Sequence, residues 1–511
     1  MIQKKAIVIG FDGGAFEILE PWLQEGKLPN IEMIMENGVI ADMESQLPPV
    51  TSPNWKCYST GMNPGKLGLF WWENVDVENR KVTYPQERTM KKTEYWDILE
   101  GKKAVINMPT TFPPKEIDGF VISGPPDTPN DDFYRPRDLK DLMDKFGYKI
   151  RPERHYMREG PRKKKLKAAE EMLDIIETKF DFTAHLIENN DLDFIHLTIF
   201  YINVLQHFFW NDQPTKKGWM LIDDKIGEFI ERFGDDYTFF FMSDHGSNKI
   251  KNVLNINTWL EEKGYLVTKM GKEKTLDALG LNMQNISRIA NYVFSKKTLD
   301  KLQEKLPDYL MDEIPEKGGT LRKEQKGKVI DWDKSRAVAS GQGPVYLIGD
   351  EGEKEKIKEE LLEDFDELVE KGLVERVFER EDIYWGEYVE EGPDLILDQG
   401  QGVHITGDVG KEKSIDKPGR WKGENKKTGM FMAYGDEIRE DEKIKEFSIL
   451  DIAPTVLHFY SKKIPKEMDG DVKKEVFDKG SDIFKRKVTV KTKRGKEEEE
   501  KLDSAISKLD I

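Results

Sequence analysis

Three short runs of nearly unbroken apolar residues constrain this chain more than anything else in it: KAIVIGF at 5–11, DFIHLTIF at 193–200 and YTFFFM at 237–242. Each has the length of a strand and no polar alternation, the pattern of a strand buried on both faces. Each is followed at once by residues capable of chemistry: Asp12 with Gly13 and Gly14, then Asn203 and His207, then Ser243, Asp244, His245 and Gly246. Between the runs, apolar residues recur at helical spacing over 166–187 and 214–233. Strand and helix in alternation predict a mostly parallel sheet covered on both faces, so the fold class is α/β.

Further strands are expected at 104–107 (AVIN) and 119–124 (GFVISG), joined by the Pro-rich PTTFPP, and again at 335–349, 394–398 and 430–434. A last core helix is expected over 449–460. The stretch 271–326 is amphipathic at helical spacing without a strand signal, which predicts a helical cap inserted into a core made of 1–270 and 327–485. From 486 to 511 charge is dense and no face is apolar, so a peripheral tail is expected.

The 97 acidic against 80 basic side chains leave a net charge of -17, which argues against a nucleic-acid polymer or an anionic membrane surface as partner. The local exception is Arg151, Arg154, Arg158 and Arg162 leading into Lys163, Lys164 and Lys165, read either as a solvated helix start or as an anion site. The longest uncharged run, Phe194 to Asn211, holds His196, Asn203, Gln206 and His207 and is too polar for a membrane span. A single cysteine, Cys57, excludes an internal disulfide and suits a reducing compartment. With no signal-peptide pattern at the start of the chain, a cytoplasmic location is expected.

In an open α/β sheet, ligands gather beyond the carboxyl ends of the strands, so side chains that follow different strands share one rim. Asp12, the Asn203 and His207 pair, and Asp244 with His245 all fall there, and carboxylates with imidazoles make a divalent-metal donor set. Thr51, in PPVTSPNW at 48–55, completes the constellation. Pro48 and Pro49 stiffen the approach and Pro53 suits a first helical turn, which sets Thr51 at a helix N-terminus. Unpaired N–H groups there favour phosphate; the competing reading is a plain N-cap. A threonine hydroxyl needs a metal or a base to become an alkoxide, and Asp12, Asp244 and His245 are placed to hold that metal. Of the other histidines, His155 reads as a loop residue, His185 and His458 as packing or surface residues on helices, and His196 as a satisfied core residue. No role follows for His404, which sits in a Gly-rich segment.

Taken in order, GFDGG at 10–14, PPVTSPNW at 48–55, STGMNPGKLG at 59–68, QHFFW at 206–210, SDHGS at 243–247 and ILDIAPTVLHFY at 449–460 resemble the alkaline phosphatase superfamily. Within it they are most similar to the type I phosphodiesterase/nucleotide pyrophosphatase branch, and the likeness covers roughly 4–475 apart from the cap. The resemblance implies an alkaline phosphatase-like three-layer sandwich and a two-metal hydrolase that forms and then hydrolyses a covalent phospho-threonine. It implies Thr51 as nucleophile and, with Asp12, Asp244 and His245, as a ligand of the activating metal, and a second metal at the positions of Asn203, His207 and Asn425. Zinc is the first expectation, with manganese or magnesium as alternatives, and the substrate is a small phosphorylated molecule. The Cys/Ser-x-Pro-x-Arg pattern of the superfamily's sulfatases is missing around Thr51 and Cys57.

The chain departs from the family where it matters. Asn203 stands where an aspartate is usual, and counting back from Gly429 places Asn425 where the last ligand histidine belongs. Leu67 replaces the histidine often found before Gly68. Both ligand changes strike the same metal, so one well-formed site and one degraded site are expected, with weakened turnover. Glu424 or Asp408 would be the substitute ligands. Two other readings follow from the same changes: a nearly inactive homologue that binds a phosphorylated ligand, and a transferase that passes the phospho-group to an acceptor other than water.

Overall fold

The strand Ala6–Phe11 lies at the middle of a nine-stranded sheet. From edge to edge the order is Glu442–Ser448, Val39–Glu44, Thr428–Tyr434, Thr238–Ser243, Ala6–Phe11, Phe194–Ile199, Lys103–Met108, Gly119–Ser123 and Tyr134–Arg135. The five strands from Thr238–Ser243 to Gly119–Ser123 run parallel. Thr428–Tyr434 is antiparallel to both its neighbours. This is the computed structural model of the chain, and it describes residues 4–72, 74–83, 92–126, 128–129, 131–153, 162–269 and 330–491. The cap expected at 271–326, His155, Arg154, Arg158 and the tail beyond 491 lie outside the described residues.

Why the strands are apolar throughout is visible in what they face. Successive side chains of a strand point to opposite sides. Ile7, Ile9 and Phe11 pack under the helices Arg162–Asn189, Tyr201–Phe209 and Gln213–Phe233, while Ala6 and Val8 pack against Thr51–Thr60 and Ile452–Phe459. Phe239 and Phe241 join the first layer, Phe240 and Met242 the second. The molecule is therefore helix, sheet, helix in section, the alkaline phosphatase-like arrangement expected. The strands anticipated at 335–349 and 394–398 form a sheet of their own, antiparallel, in the order Ala337–Ala339, Pro344–Leu347, Leu395–Gln399, Val374–Glu379. The helix Glu351–Glu370 covers it with Ile357, Leu361, Phe365 and Leu368.

The helix Thr51–Thr60 is buried at every residue, so its one charged side chain must be paired. Lys56 Nζ meets Glu94 Oε1 at 2.7 Å with both groups almost fully enclosed, and Lys115 reaches the other carboxylate oxygen at 3.4 Å. Lys56→Met is expected to cost about 3 kcal/mol, because Glu94 is left buried with only the outlying Lys115. Urea unfolding measures this, and Lys56→Met combined with Glu94→Gln should recover most of the loss. A single-variant cost below about 0.5 kcal/mol would show that the pair is not what holds this helix down.

Candidate functional site

Asp12 directly follows Ala6–Phe11, and Asp244 directly follows Thr238–Ser243. Phe11 is in register with Ser243, so the two carboxylates leave the sheet level with one another. Gly13 turns the chain with φ +73, and a Cβ there would lie 2.4 Å from Asn203 Oδ1; the conformation and the close approach both require glycine. Its N–H donates to Asp244 Oδ1 at 3.1 Å.

Thr51 is the first residue of its helix, and Val50 occupies the N-cap without a side-chain cap bond. The threonine hydroxyl is thus not consumed in capping. The loop before it is pinned by Asn54, fully buried, whose Oδ1 accepts from Gln46 N at 2.7 Å. Asn54 Nδ2 donates to the carbonyls of Gln46, Pro48 and Val50 at 3.1, 3.2 and 3.0 Å. Trp55 Nε1 donates to Asp12 Oδ2 at 3.2 Å. Neither Asn54 nor Trp55 was given a role from sequence, although both stand in the motif around Thr51.

His245 Nδ1 lies 2.9 Å from the Gly246 carbonyl, which fixes the proton on Nδ1 and leaves the Nε2 lone pair facing the cluster. That nitrogen is 3.3 Å from Thr51 Oγ1, 3.2 Å from Asp244 Oδ2 and 3.6 Å from Asp12 Oδ1. Asp244 Oδ2 has no hydrogen-bond donor among the described residues. Apart from the Thr51 hydroxyl, and Asn203 Nδ2 on Asp12 Oδ1, no proton lies among these lone pairs, and those of Asp244 Oδ2 and His245 Nε2 repel one another unless a cation sits between them. Burial pushes the Asp12 carboxyl up to about 7 against the bonds from Trp55, Asn203 and Thr51. Burial and then the Asp12 charge raise Asp244 well above the usual carboxylate range. Burial lowers His245 to about 3, keeping it a neutral donor. Two buried carboxylates and a neutral imidazole, with ligand atoms within 4.8 Å of one another, fit one divalent metal.

The remaining expected ligands lie close by. Asn203 Nδ2 donates to Asp12 Oδ1 at 2.6 Å. His207 Nδ1 lies 2.8 Å from the Gly423 carbonyl, and the ring stacks on Trp421 at 3.9 Å. Asn425 is in the strand Gly423–Lys426, opposite Ser247. Both substitute candidates have other partners: Glu424 is ion-paired with His404 and accepts from Gln342 Nε2 at 2.9 Å, and exposed Asp408 pairs with Lys411 at 3.1 Å. His404 thus takes a partner that sequence did not assign. Leu67 is buried in the core. His196 is a satisfied core residue, 2.9 Å from Tyr58 Oη and 2.7 Å from Thr198 Oγ1. In the basic run, Arg151 donates to the Pro126 carbonyl and Arg162 pairs with Asp212.

A mostly parallel sheet with helices on both faces, and an Asp/Asp/His cluster at its carboxyl edge beside a helix-terminal threonine, defines the class as an alkaline phosphatase-like α/β protein. Two solved structures share the fold. Alkaline phosphatase PafA is 13% identical at a TM-score of 0.55, the match covering 94% of this chain and 100% of that one. Phosphonoacetate hydrolase from Sinorhizobium meliloti is 12% identical at 0.53, covering 90% and 95%. The chain belongs to the type I phosphodiesterase / nucleotide pyrophosphatase family, which it matches over residues 6–423. The family is one of phosphoester hydrolases. No curated protein matches the chain in sequence. Among the described residues, no helix is long and apolar enough to cross a membrane.

Proposed function

We propose that the protein is a metal-dependent phosphoric ester hydrolase in which Thr51 is the nucleophile, acting on a small phosphodiester, nucleotide or phosphomonoester. The observation that carries this reading is the meeting of Thr51 Oγ1 with His245 Nε2, Asp244 Oδ2 and Asp12 Oδ1, all buried. Asp12, Asp244 and His245 would hold the ion, zinc in the first instance, with manganese or magnesium as alternatives. Such an ion, when bound, supplies positive charge that lowers the pKa of a nearby hydroxyl and offsets charge on phosphate oxygens.

The chain's own groups do the rest. Trp55 and Asn203 each bond one oxygen of Asp12 and so fix its orientation. The Thr51 and Ser52 amides open the helix with no carbonyl one turn back, and in this reading they bind phosphoryl oxygens. Thr51 Oγ1 gives up its proton and bonds to phosphorus as the bond to the leaving oxygen breaks; that oxygen takes a proton from solvent and departs as the alcohol, leaving a phosphoester of Thr51. Water then adds to phosphorus, the bond to Oγ1 breaks, and the hydroxyl is restored. Asn203 and Asn425 in the neighbouring half-site make this second step the slow one. In this reading 1–270 and 327–485 are the catalytic core, and buried Cys57 suits a cytoplasmic setting.

Bis(4-nitrophenyl) phosphate with Zn²⁺ or Mn²⁺ is the test. Acid quenching during turnover should trap an aryl phosphoester on Thr51, located by peptide mass spectrometry. An adduct on a different residue, or nitrophenol release with Thr51 never modified, would sink the assignment.

A further inference from the structure

The half-site that the family resemblance gives to a second metal does not fit one in this chain. Asn203 turns a hydrogen-bond donor, not a lone pair, towards Asp12 Oδ1. Glu424, the carboxylate next to Asn425, accepts from Gln342 Nε2 at 2.9 Å, Trp421 Nε1 at 3.2 Å and Asn425 N at 2.9 Å, and is ion-paired with His404. In the ladder between Gly246–Lys249 and Gly423–Lys426 it stands opposite Asn248, on the other face from Asn425. The charge count agrees. Asp12 and Asp244 balance one dication beside the neutral His245, and Glu424 is matched by His404. A second dication would be buried among amides and imidazole with no carboxylate left to offset it.

The half-site is nevertheless built for a ligand. Asn425 is about 5% exposed, and its Oδ1 has no hydrogen-bond donor among the described residues. It lies directly opposite Ser247 and shares that residue's face of the ladder. Ser247 Oγ donates to the Gly13 carbonyl at 2.8 Å and lies 3.4 Å from Asn203 Oδ1. Gly13, Asn203, Ser247 and Asn425 therefore gather on the metal side, where the amide oxygen of Asn425 still lacks a donor. A buried acceptor of this kind is normally satisfied, and here an O–H group would satisfy it. His207 completes the group, its Nδ1 lying 2.8 Å from the Gly423 carbonyl.

We propose that the protein holds a single divalent ion and that Asn203, His207 and Asn425 form a seat for a hydroxyl group, either water or an alcohol. The proposal rests on the reading of Asp12, Asp244 and His245 as the metal half-site. It deepens that reading by naming what lies beside the ion.

The test needs no turnover. Full-length protein is dialysed against Zn²⁺ and then against metal-free buffer, and the retained metal is counted. One ion per chain is expected, unchanged by Asn425→Ala, and two in Asn203→Asp combined with Asn425→His. A crystal structure of the Zn²⁺-loaded wild type with glycerol present should show one anomalous peak, beside Thr51, and an ordered water or glycerol oxygen within hydrogen-bond distance of Asn425 Oδ1. Two retained ions in the wild type, a second anomalous peak among Asn203, His207 and Asn425, or a seat without an ordered oxygen would each overturn the proposal. Failure to trap a phosphoester on Thr51 would strike the proposed reaction and leave these outcomes readable.

Discussion

Thr51→Ala is expected to remove phosphodiester hydrolysis almost completely, with kcat/KM falling by about 10⁴-fold, because in the proposed reaction it deletes the nucleophile that forms the covalent intermediate. The protein around it should hardly notice. Thr51 does not cap its helix, because Val50 occupies that position, and Asn54 rather than Thr51 pins the loop from Gln46 to Val50. Stability should change by no more than about 1 kcal/mol, and the metal count should be unchanged. Thr51→Ser keeps the hydroxyl and should stay within about tenfold of the wild type. The contrast between serine and alanine separates a nucleophile from a bystander, since both lose the methyl group's packing or more. If Thr51→Ala retains a tenth of the wild-type rate, Thr51 does not attack phosphorus, and the metal would then have to activate water directly.

What could be read from the chain, and what could not, divides along a physical line. KAIVIGF, DFIHLTIF and YTFFFM announced themselves because a strand covered on both faces has no room for polar alternation, and two separate cores do lie above and below them. Asp12 and Asp244 were legible for a related reason: residues leaving the carboxyl ends of neighbouring parallel strands must emerge together. Val39–Glu44 and Glu442–Ser448 were not marked as strands. They lie at or beside the sheet edge, where one face is wet and the apolar content is halved. The separate sheet formed by Ala337–Ala339, Pro344–Leu347, Val374–Glu379 and Leu395–Gln399 was equally hidden, since local pattern shows that a segment is a strand and not which strand it joins. The same limit applies to side chains. Trp55 bonds Asp12 across 43 positions and Glu424 bonds Gln342 across 82, and no periodicity records such meetings. The count back from Gly429 did place Asn425 on a strand whose partner, Ser247, follows His245 by two residues.

Asp244→Asn should abolish function and at the same time strengthen the metal-free fold. The substitution keeps the shape of the side chain, so the amide oxygen can still accept from Gly13 N, which now donates to Oδ1 at 3.1 Å. The new NH₂ would face the lone pairs of His245 Nε2 and Asp12 Oδ1, atoms that lie 3.6 Å apart. One of two buried carboxylates is gone, and Asp12 is relieved of its like-charged neighbour. In metal-free wild type both carboxyl groups have folded-state pKa values above their unfolded ones, Asp12 at about 7 and Asp244 well above the usual carboxylate range, chiefly through burial. A raised carboxyl pKa means that the folded state binds the proton more tightly, so its stabilising contribution is complete below the unfolded pKa and is lost as pH rises through the folded one. The chelated wild type should therefore lose Tm from about pH 5 to pH 8. Chelated Asp244→Asn should lose less and be the more stable of the two at pH 8, by about 1–4 kcal/mol, the usual range when a buried charge cluster is replaced by neutral groups. Adding Zn²⁺ reverses the ranking. The wild type gains about 2.7 kcal/mol at a free metal concentration a hundred times its Kd, because the ion binds only the folded chain, while the variant, short of one anionic ligand, gains little. Scanning calorimetry of both proteins at the two pH values, with chelator and with Zn²⁺, reads all of this in one set of experiments. A variant that binds Zn²⁺ as tightly as the wild type would mean that Asp244 is not a ligand, and a chelated variant less stable than wild type at pH 8 would mean that the two carboxylates do not oppose one another.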